Sequence, residues 1–349
     1  MTEKEKINVL VVDDSSAVTM ALKRVIDAQP DMVVYAVASD PFEAVKVIRG
    51  QIPDVMILDV QMPRMDGLTF LEKVMKQHPI PVIIFSGVAE YGSENAIKAM
   101  RLGALSIISK PGMIINNHKF IYELANSIRT AFAARERLGK FIFRNRYGFV
   151  GDKKPVNAVQ KILTDNLIAI GASTGGTQAI QFILSHLSRD VPGVVIVQHM
   201  PGNFTKWFAE SLNRITPLEV YEATSGKIVH RGEVYIANGF FHLAVKRTAD
   251  KIVLSVFDGK EENRHKPSVD VLFNSVAEKI GEKAVGILLT GMGDDGAKGL
   301  LNMKNAGAFT IAQDEASSVV FGMPREAFKI NAVDEVMDLN KIISFINNL

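Results

Sequence analysis

Short apolar, β-branched runs recur along the first third of the chain, each followed by a stretch with helical spacing. INVLVV, MVVYAVA, DVMILD, PVIIFS and LSIIS read as strands. Between them lie amphipathic stretches such as AVTMALKRVIDA and GLTFLEKVMKQ. Five strands alternating with helices predict a doubly wound parallel sheet covered on both faces. The pattern closes with a helix near 119–134. The next segment, RERLGKFIFRNRYGFVGDKKPVN, is basic, glycine-punctuated and aperiodic, and reads as a linker with a solvated face. The alternation then restarts with LIAI, VVIVQ, LEVYEA and VGILLT. In the middle of this second region EVYIA, HLAVKR and KIVLSVF crowd together, and the turn-like TAD between the last two predicts a hairpin. The expectation is a second α/β domain with an antiparallel insert. Domains are expected over 1–134 and 165–349, joined by a linker over 135–164.

Composition narrows the classes. A chain of 349 residues exceeds one average domain. Lys and Arg total 40 against 38 acidic residues, so charge gives no reason to expect nucleic acid as a partner. Cysteine is absent, which excludes disulfides, thiol catalysis and cysteine–metal sites. The charged start lacks the layout of a signal peptide, and no apolar run reaches the ~20 residues of a membrane-spanning helix. The expectation is a cytoplasmic protein with no direct membrane insertion.

In the first region, chemistry collects at strand ends. The first strand ends in Asp13-Asp14, the third in Asp59, the fourth in Ser86 and the fifth in Lys110. In a parallel sheet these ends share the edge where ligands of open α/β folds bind. Three carboxylates there repel one another unless a cation joins them, and an all-oxygen set favours Mg²⁺. A carboxylate can also attack phosphorus, with Ser86 and Lys110 placed to hold the transferred group. Singly, each residue has a plain structural use: Asp14 or Ser15 as a helix cap, Lys110 as a surface lysine. The motifs VVDDS, ILDVQMPRMDG, FSG and SKPG together resemble the response-regulator receiver domain, which is flavodoxin-like. The resemblance implies Asp59 as phospho-acceptor, Asp13 and Asp14 with Asp59 as Mg²⁺ ligands, and Ser86 and Lys110 as sensors of the phosphoryl group. One departure accompanies it. Receivers often carry an aromatic switch three residues before the lysine, and here Ile107 stands there, which puts any activation step using that aromatic in question.

In the second region the decisive stretch is LIAIGASTGGTQAI, 167–180. A glycine-rich strand-to-helix turn can cradle a phosphate or present a serine nucleophile. A P-loop needs Gly-Lys-Ser/Thr, and this turn ends Gly175-Gly176-Thr177. A dinucleotide site wants an acid at the next strand's end, and that strand ends in Gln198-His199. A nucleophile needs a base and an orienting acid. His199 at the next strand's end, and Asp294-Asp295 in the turn after VGILLT, supply both types at one sheet edge. The order Ser…His…Asp differs from that of α/β-hydrolases, but geometry rather than order defines a triad. The plain alternatives are a turn shaped by glycines, with Asp295 capping the helix that begins near Gly296. His78, His118, His186, His230 and His242 are read as ordinary hydrogen-bonding histidines.

GASTGGT, VQHMPGNFT, NRHKPSVDVLF, GILLTGMGDDGAKG and VVFGMPREA resemble the catalytic domain of the CheB-type protein-glutamate methylesterase family. The resemblance implies Ser173 as nucleophile, His199 as general base and Asp295, which directly precedes the glycine of the motif, as orienting acid. It also implies backbone N–H groups of Thr174 and Met292 as oxyanion donors. Expected substrates are glutamate γ-methyl esters on the cytoplasmic helices of chemoreceptors, with receptor glutamines open to deamidation. A chemotaxis histidine kinase is the expected phosphodonor. No cofactor is expected at the esterase site. In NRHKPSVDVLF, Ser268 reads as the N-cap of a helix over 268–280, and no catalytic role is assigned to His265. The rival reading is a phosphorylation-switched scaffold whose serine site is inactive. A transcriptional regulator would need a basic helix-turn-helix output, and the second region carries a serine turn in a large α/β pattern instead.

Overall fold

The computed structural model describes residues 6–62, 67–87, 90–110, 117–145 and 166–349. The chain divides into two compact units, with the boundary at Arg144/Asn145.

In the first unit, β1 (Ile7–Val12), β2 (Met32–Ala38), β3 (Val55–Leu58), β4 (Val82–Ser86) and β5 (Ser106–Ser109) form one parallel sheet of order β2-β1-β3-β4-β5. This is the flavodoxin-like order, whose switch point lies between β1 and β3. β3 and β4 are buried along their whole length, as continuous apolar runs demand when helices cover both faces. The covering helices are α1 (Ser16–Asp27), α2 (Pro41–Gly50), α3 (Gly67–Gln77), α4 (Glu90–Arg101) and α5 (His118–Asn145). Ser15, not Asp14, caps α1, its side chain accepting from the Val18 N–H. The last helix outruns its expected end: α5 continues from 134 to Asn145, through the start of the basic segment. The rest of the expected linker, from 146, lies outside the described residues.

The second unit contains β6 (Leu167–Ala172), α6 (Gly176–His186), β7 (Gly193–Gln198), α7 (Gly202–Ile215), β8 (Glu219–Glu222), β9 (Glu233–Ile236), β10 (His242–Thr248), β11 (Lys251–Phe257), α8 (Val269–Lys279), β12 (Ala284–Leu288), α9 (Ala297–Asn305), β13 (Phe309–Gln313), α10 (Met323–Lys329), β14 (Glu335–Met337) and α11 (Leu339–Asn347). Seven of these strands form a parallel sheet of order β14-β13-β12-β6-β7-β9-β8. The antiparallel insert is the pair β10 and β11, turning at Ala249 with φ 52°; the segment 226–229 also bonds to β11, with an antiparallel bridge from Ile228 to Val253. EVYI, which the sequence placed beside the hairpin, is β9 and joins the main sheet between β7 and β8. Its Tyr235 is fully buried, so tertiary burial decides its partner. α8 packs on β10 and on α9, which brings its N-terminus to the sheet edge beside the end of β12. Among the described residues no helix is long and apolar enough to cross a membrane.

Candidate functional site

β6 is flanked by β12 on one side and β7 on the other, so the sheet order reverses at β6/β12. Ligands of open α/β sheets bind at such a switch point, beyond the strands' carboxyl ends. Ser173 follows β6, His199 follows β7, and Asp295 lies in the turn after β12.

The serine turn is tightly fixed. Gly175 takes φ 78°, a conformation that glycine adopts without cost, and starts α6. The Ser173 N–H donates to the Thr290 carbonyl at 3.0 Å, and Thr290 Oγ1 donates to the Thr174 carbonyl at 3.0 Å. At Gly291 a Cβ would lie 2.7 Å from Ser173 Cβ, so only a residue without one lets the second turn come this close. Gln198 braces the other side: its Nε2 donates to the carbonyls of Ser173 at 2.9 Å and of His199 at 3.0 Å.

Asp295 is 1% exposed, whereas its neighbour Asp294 is exposed. Its Oδ2 lies 2.8 Å from His199 Nε2 and accepts from the Val269 N–H at 2.7 Å. Its Oδ1 accepts from Ser268 Oγ at 2.7 Å, and from Asp270 N and Asn263 Nδ2 at 3.2 Å each. Burial alone would raise this carboxyl's pKa. The bonds from His199, Ser268 and Val269 outweigh burial and hold it well below the usual carboxylate range. The helix Asp295 serves is therefore α8, capped by Ser268, and not the helix beginning near Gly296. Buried next to it, Asp270 is pushed up by burial, although the Gly299 N–H donates to its Oδ1 at 2.6 Å.

The ionised carboxylate at Nε2 fixes the tautomer of His199: Nε2 carries the proton and Nδ1 the lone pair. Nδ1 is buried and has no hydrogen-bond partner among the described residues. The bond from Ser173 to this nitrogen is not formed here; apo sites often tighten only with substrate. Thr174, an expected oxyanion donor, sits in the serine turn; the other, Met292, is exposed in the turn after β12, next to Gly291, where an added Cβ would lie 2.7 Å from Ser173 Cβ. His265 stacks on His199 with ring centroids 3.9 Å apart and planes 6° from parallel. His199, His265 and Asp295 have ligand atoms within 4.8 Å of one another. An imidazole-bound metal lies in the ring plane about 2 Å from nitrogen. Two stacked rings 6° from parallel, their centroids 3.9 Å apart, do not share a nearby point in both planes, so the set fits hydrogen bonding and proton transfer.

In the first unit, Asp13 and Asp14 follow β1, Asp59 follows β3, Ser86 ends β4 and Lys110 follows β5. The carboxylates of Asp13, Asp14 and Asp59 lie within 4.8 Å of one another, an all-oxygen set that fits Mg²⁺. Lys110 Nζ contacts Asp59 Oδ2 at 2.5 Å and Asp13 Oδ2 at 2.8 Å. Burial raises the Asp59 pKa, more than Lys110 lowers it. Ser86 is fully buried at the strand end, and its carbonyl accepts from the Lys110 N–H at 2.8 Å. Ile107 is buried within β5, in register with Ile84.

Comparison with known proteins agrees with this division. Residues 168–346 match the sequence model described as CheB methylesterase, and 9–119 that of the response regulator receiver domain. A Leptospira interrogans protein named protein-glutamate methylesterase/protein-glutamine glutaminase 3 is 47% identical over 97% of this chain and 98% of its own length. The chain belongs to the CheB methylesterase family. A Nitrosomonas europaea member with the same enzyme name is 47% identical over 96% of this chain and 94% of its own. The crystal structure of the Thermotoga maritima CheB methylesterase catalytic domain superimposes with a TM-score of 0.51 at 37% identity, covering 52% of this chain and 97% of that one. The CheB methylesterase fold carries residues here that the sequence reading left without a role at the site: Gln198, Thr290, Asn263 and His265. Gln198 entered only as the wrong residue for a ribose. Its position directly before His199 was the available signal.

Proposed function

We propose that the protein hydrolyses glutamate γ-methyl esters on chemoreceptor helices, releasing methanol, and that phosphorylation of Asp59 raises this activity. The names of its relatives support the substrate class. The observation that carries the chemistry is His199, with Nε2 on Asp295 and a buried, unpartnered Nδ1 at the sheet edge it shares with Ser173.

Ser173 Oγ adds to the ester carbonyl as its proton passes to His199 Nδ1. The oxyanion is met by the backbone N–H groups of Thr174 and Met292. The C–OCH₃ bond then breaks, and the proton on His199 leaves with methanol. Water, deprotonated by His199, attacks the acyl-enzyme, and Ser173 recovers its proton as free glutamate departs. A glutamine amide follows the same course with ammonia as leaving group. Asp295, already committed to donors from α8, stays ionised and stabilises the imidazolium.

The receiver, which runs to the end of α5, takes its phosphoryl group on Asp59 from a chemotaxis histidine kinase in the cytoplasm, and the segment from there to 164 links it to the esterase over 165–349. Asp13, Asp14 and Asp59 would hold Mg²⁺, which would supply charge neutralisation for phosphoryl transfer. Ser86 and Lys110 bind the phosphoryl oxygens. Phosphorylation adds negative charge among these loops and shifts the equilibrium between inhibited and active arrangements.

Methanol release from methylated receptor membranes, with and without a small-molecule phosphodonor and Mg²⁺, tests the proposal. Release that needs Ser173 and rises with phosphodonor only when Asp59 is present supports it. No release by the folded protein points to another ester or to a scaffold.

A further inference from the structure

The segment between β11 and α8 supplies no member of the Ser173–His199–Asp295 set, yet it lays His265 flat on His199. It is held there by several independent bonds. Glu262 and His265 exchange two backbone hydrogen bonds, at 3.1 and 2.8 Å. Between them Asn263 and Arg264 take φ 49° and 66°, left-handed values that residues with side chains rarely adopt. Such backbone strain persists where the surroundings over-determine it, and it gathers at functional sites. His265 Nδ1 is bound to the Asn263 carbonyl at 2.8 Å, which fixes the ring. The Asn263 side chain reaches Asp295, tying the same loop to the acid.

We propose that His265 is a positioning residue for the ester hydrolysis: its pinned ring holds the plane of His199 so that Nδ1 faces Ser173 during proton transfer. The inference rests on the esterase reading of this site. The single bond from Nε2 to Asp295 leaves His199 free to rock about that contact; a flat ring against its face removes the motion. When His199 takes the serine proton it becomes a cation, and a neutral aromatic face beside a cation is favourable. A charged His265 would instead repel it. The groups facing His265 are His199, Asp295, the Asn263 carbonyl and the Glu261 carboxylate. Burial, with His199 beside it, prevails over the two carboxylates and brings its pKa down to about 4, so the ring is neutral at neutral pH.

The test uses the full-length chain with phosphodonor and Mg²⁺, and methanol release from methylated receptor membranes. Ser173→Ala, His265→Leu, His265→Asn and His265→Phe are compared with wild type, each with a thermal melt. Leu fills the volume without a flat ring. Asn retains a donor for the Asn263 carbonyl but has no ring. Phe keeps the ring. The expected result is a kcat lower by about tenfold or more in His265→Leu and His265→Asn with KM unchanged, and recovery to within about threefold of wild type in His265→Phe. Wild-type kcat in the Leu or Asn variant overturns the inference. So does equal loss in all three with raised KM, which would make His265 a substrate contact. Methanol release that survives Ser173→Ala overturns the esterase reading itself, a failure separate from the other two.

Discussion

Gln198 Nε2 donates to the Ser173 carbonyl at 2.9 Å and to the His199 carbonyl at 3.0 Å, so one buried amide ties together the backbone just beyond β6 and just beyond β7. Neither the Ser173 nor the His199 side chain is touched. Gln198→Met would keep the volume and leave both carbonyls without this donor. The expected outcome is a stability loss of about 1–3 kcal/mol by urea titration, with kcat down about tenfold and KM little changed. Gln198→Glu should be worse, because it sets a carboxylate against two carbonyl oxygens.

Asp295 has two duties, and they separate by mutation. Asp295→Asn removes the charge that orients His199 and turns one of the two oxygens shared by His199 and the start of α8 into a donor. In a serine protease the equivalent loss of charge costs about 10⁴ in kcat. A fall of that order in methanol release, with a lower melting temperature, is expected here. Ser268→Ala removes the cap of α8 and one donor to Asp295 but leaves the bond to His199. It should cost about 1 kcal/mol of stability and far less rate.

The stability of the second unit should depend on pH through His265. Its folded-state pKa of about 4 lies below the ordinary 6.5. Between these values the unfolded chain binds more protons than the folded one, so stability falls as pH drops through that window. The loss is on the order of 2 kcal/mol after allowance for partial exposure. His265→Phe has no such proton to take up. Chemical denaturation from pH 7 to pH 4 should show a shallower decline for the variant than for wild type. Parallel declines would contradict the burial assigned to this ring.

The receiver site makes a separate prediction. Asp59→Ala should abolish stimulation by phosphodonor while leaving the unstimulated rate. Lys110→Ala removes the contacts to Asp59 and Asp13 and should weaken the response without preventing phosphoryl uptake. Chelation of divalent cations should abolish uptake of labelled phosphoryl groups by wild type. Uptake that persists in excess chelator would show that the three carboxylates do not need a cation.

Residues at strand ends were legible because a parallel sheet gathers its carboxyl ends at one edge whatever the details of packing. That argument alone brought Asp13, Asp59, Ser86 and Lys110 together, and likewise Ser173, His199 and the Asp294-Asp295 pair. The choice of Asp295 over Asp294 needed the family motif, and burial now separates them. The pairing of β9 was not legible, since EVYI suits a hairpin or a parallel strand equally well by pattern. The roles of Asn263 and His265 were hidden for another reason. They depend on a left-handed turn with no glycine to announce it, and on a stacking contact that leaves no periodic trace.

The bond from His199 to Asp295 passes over the end of β6, because β7 and β12 flank that strand from opposite sides. The two residues are 96 positions apart in the chain. A nascent chain that has already laid β6 beside β7 holds Ser173 and His199 but not Asp295, nor the Thr290 and Gly291 backbone that fixes the serine turn. A chain interrupted before β12 emerges from the ribosome has no working centre, and only near-complete synthesis delivers hydrolytic power.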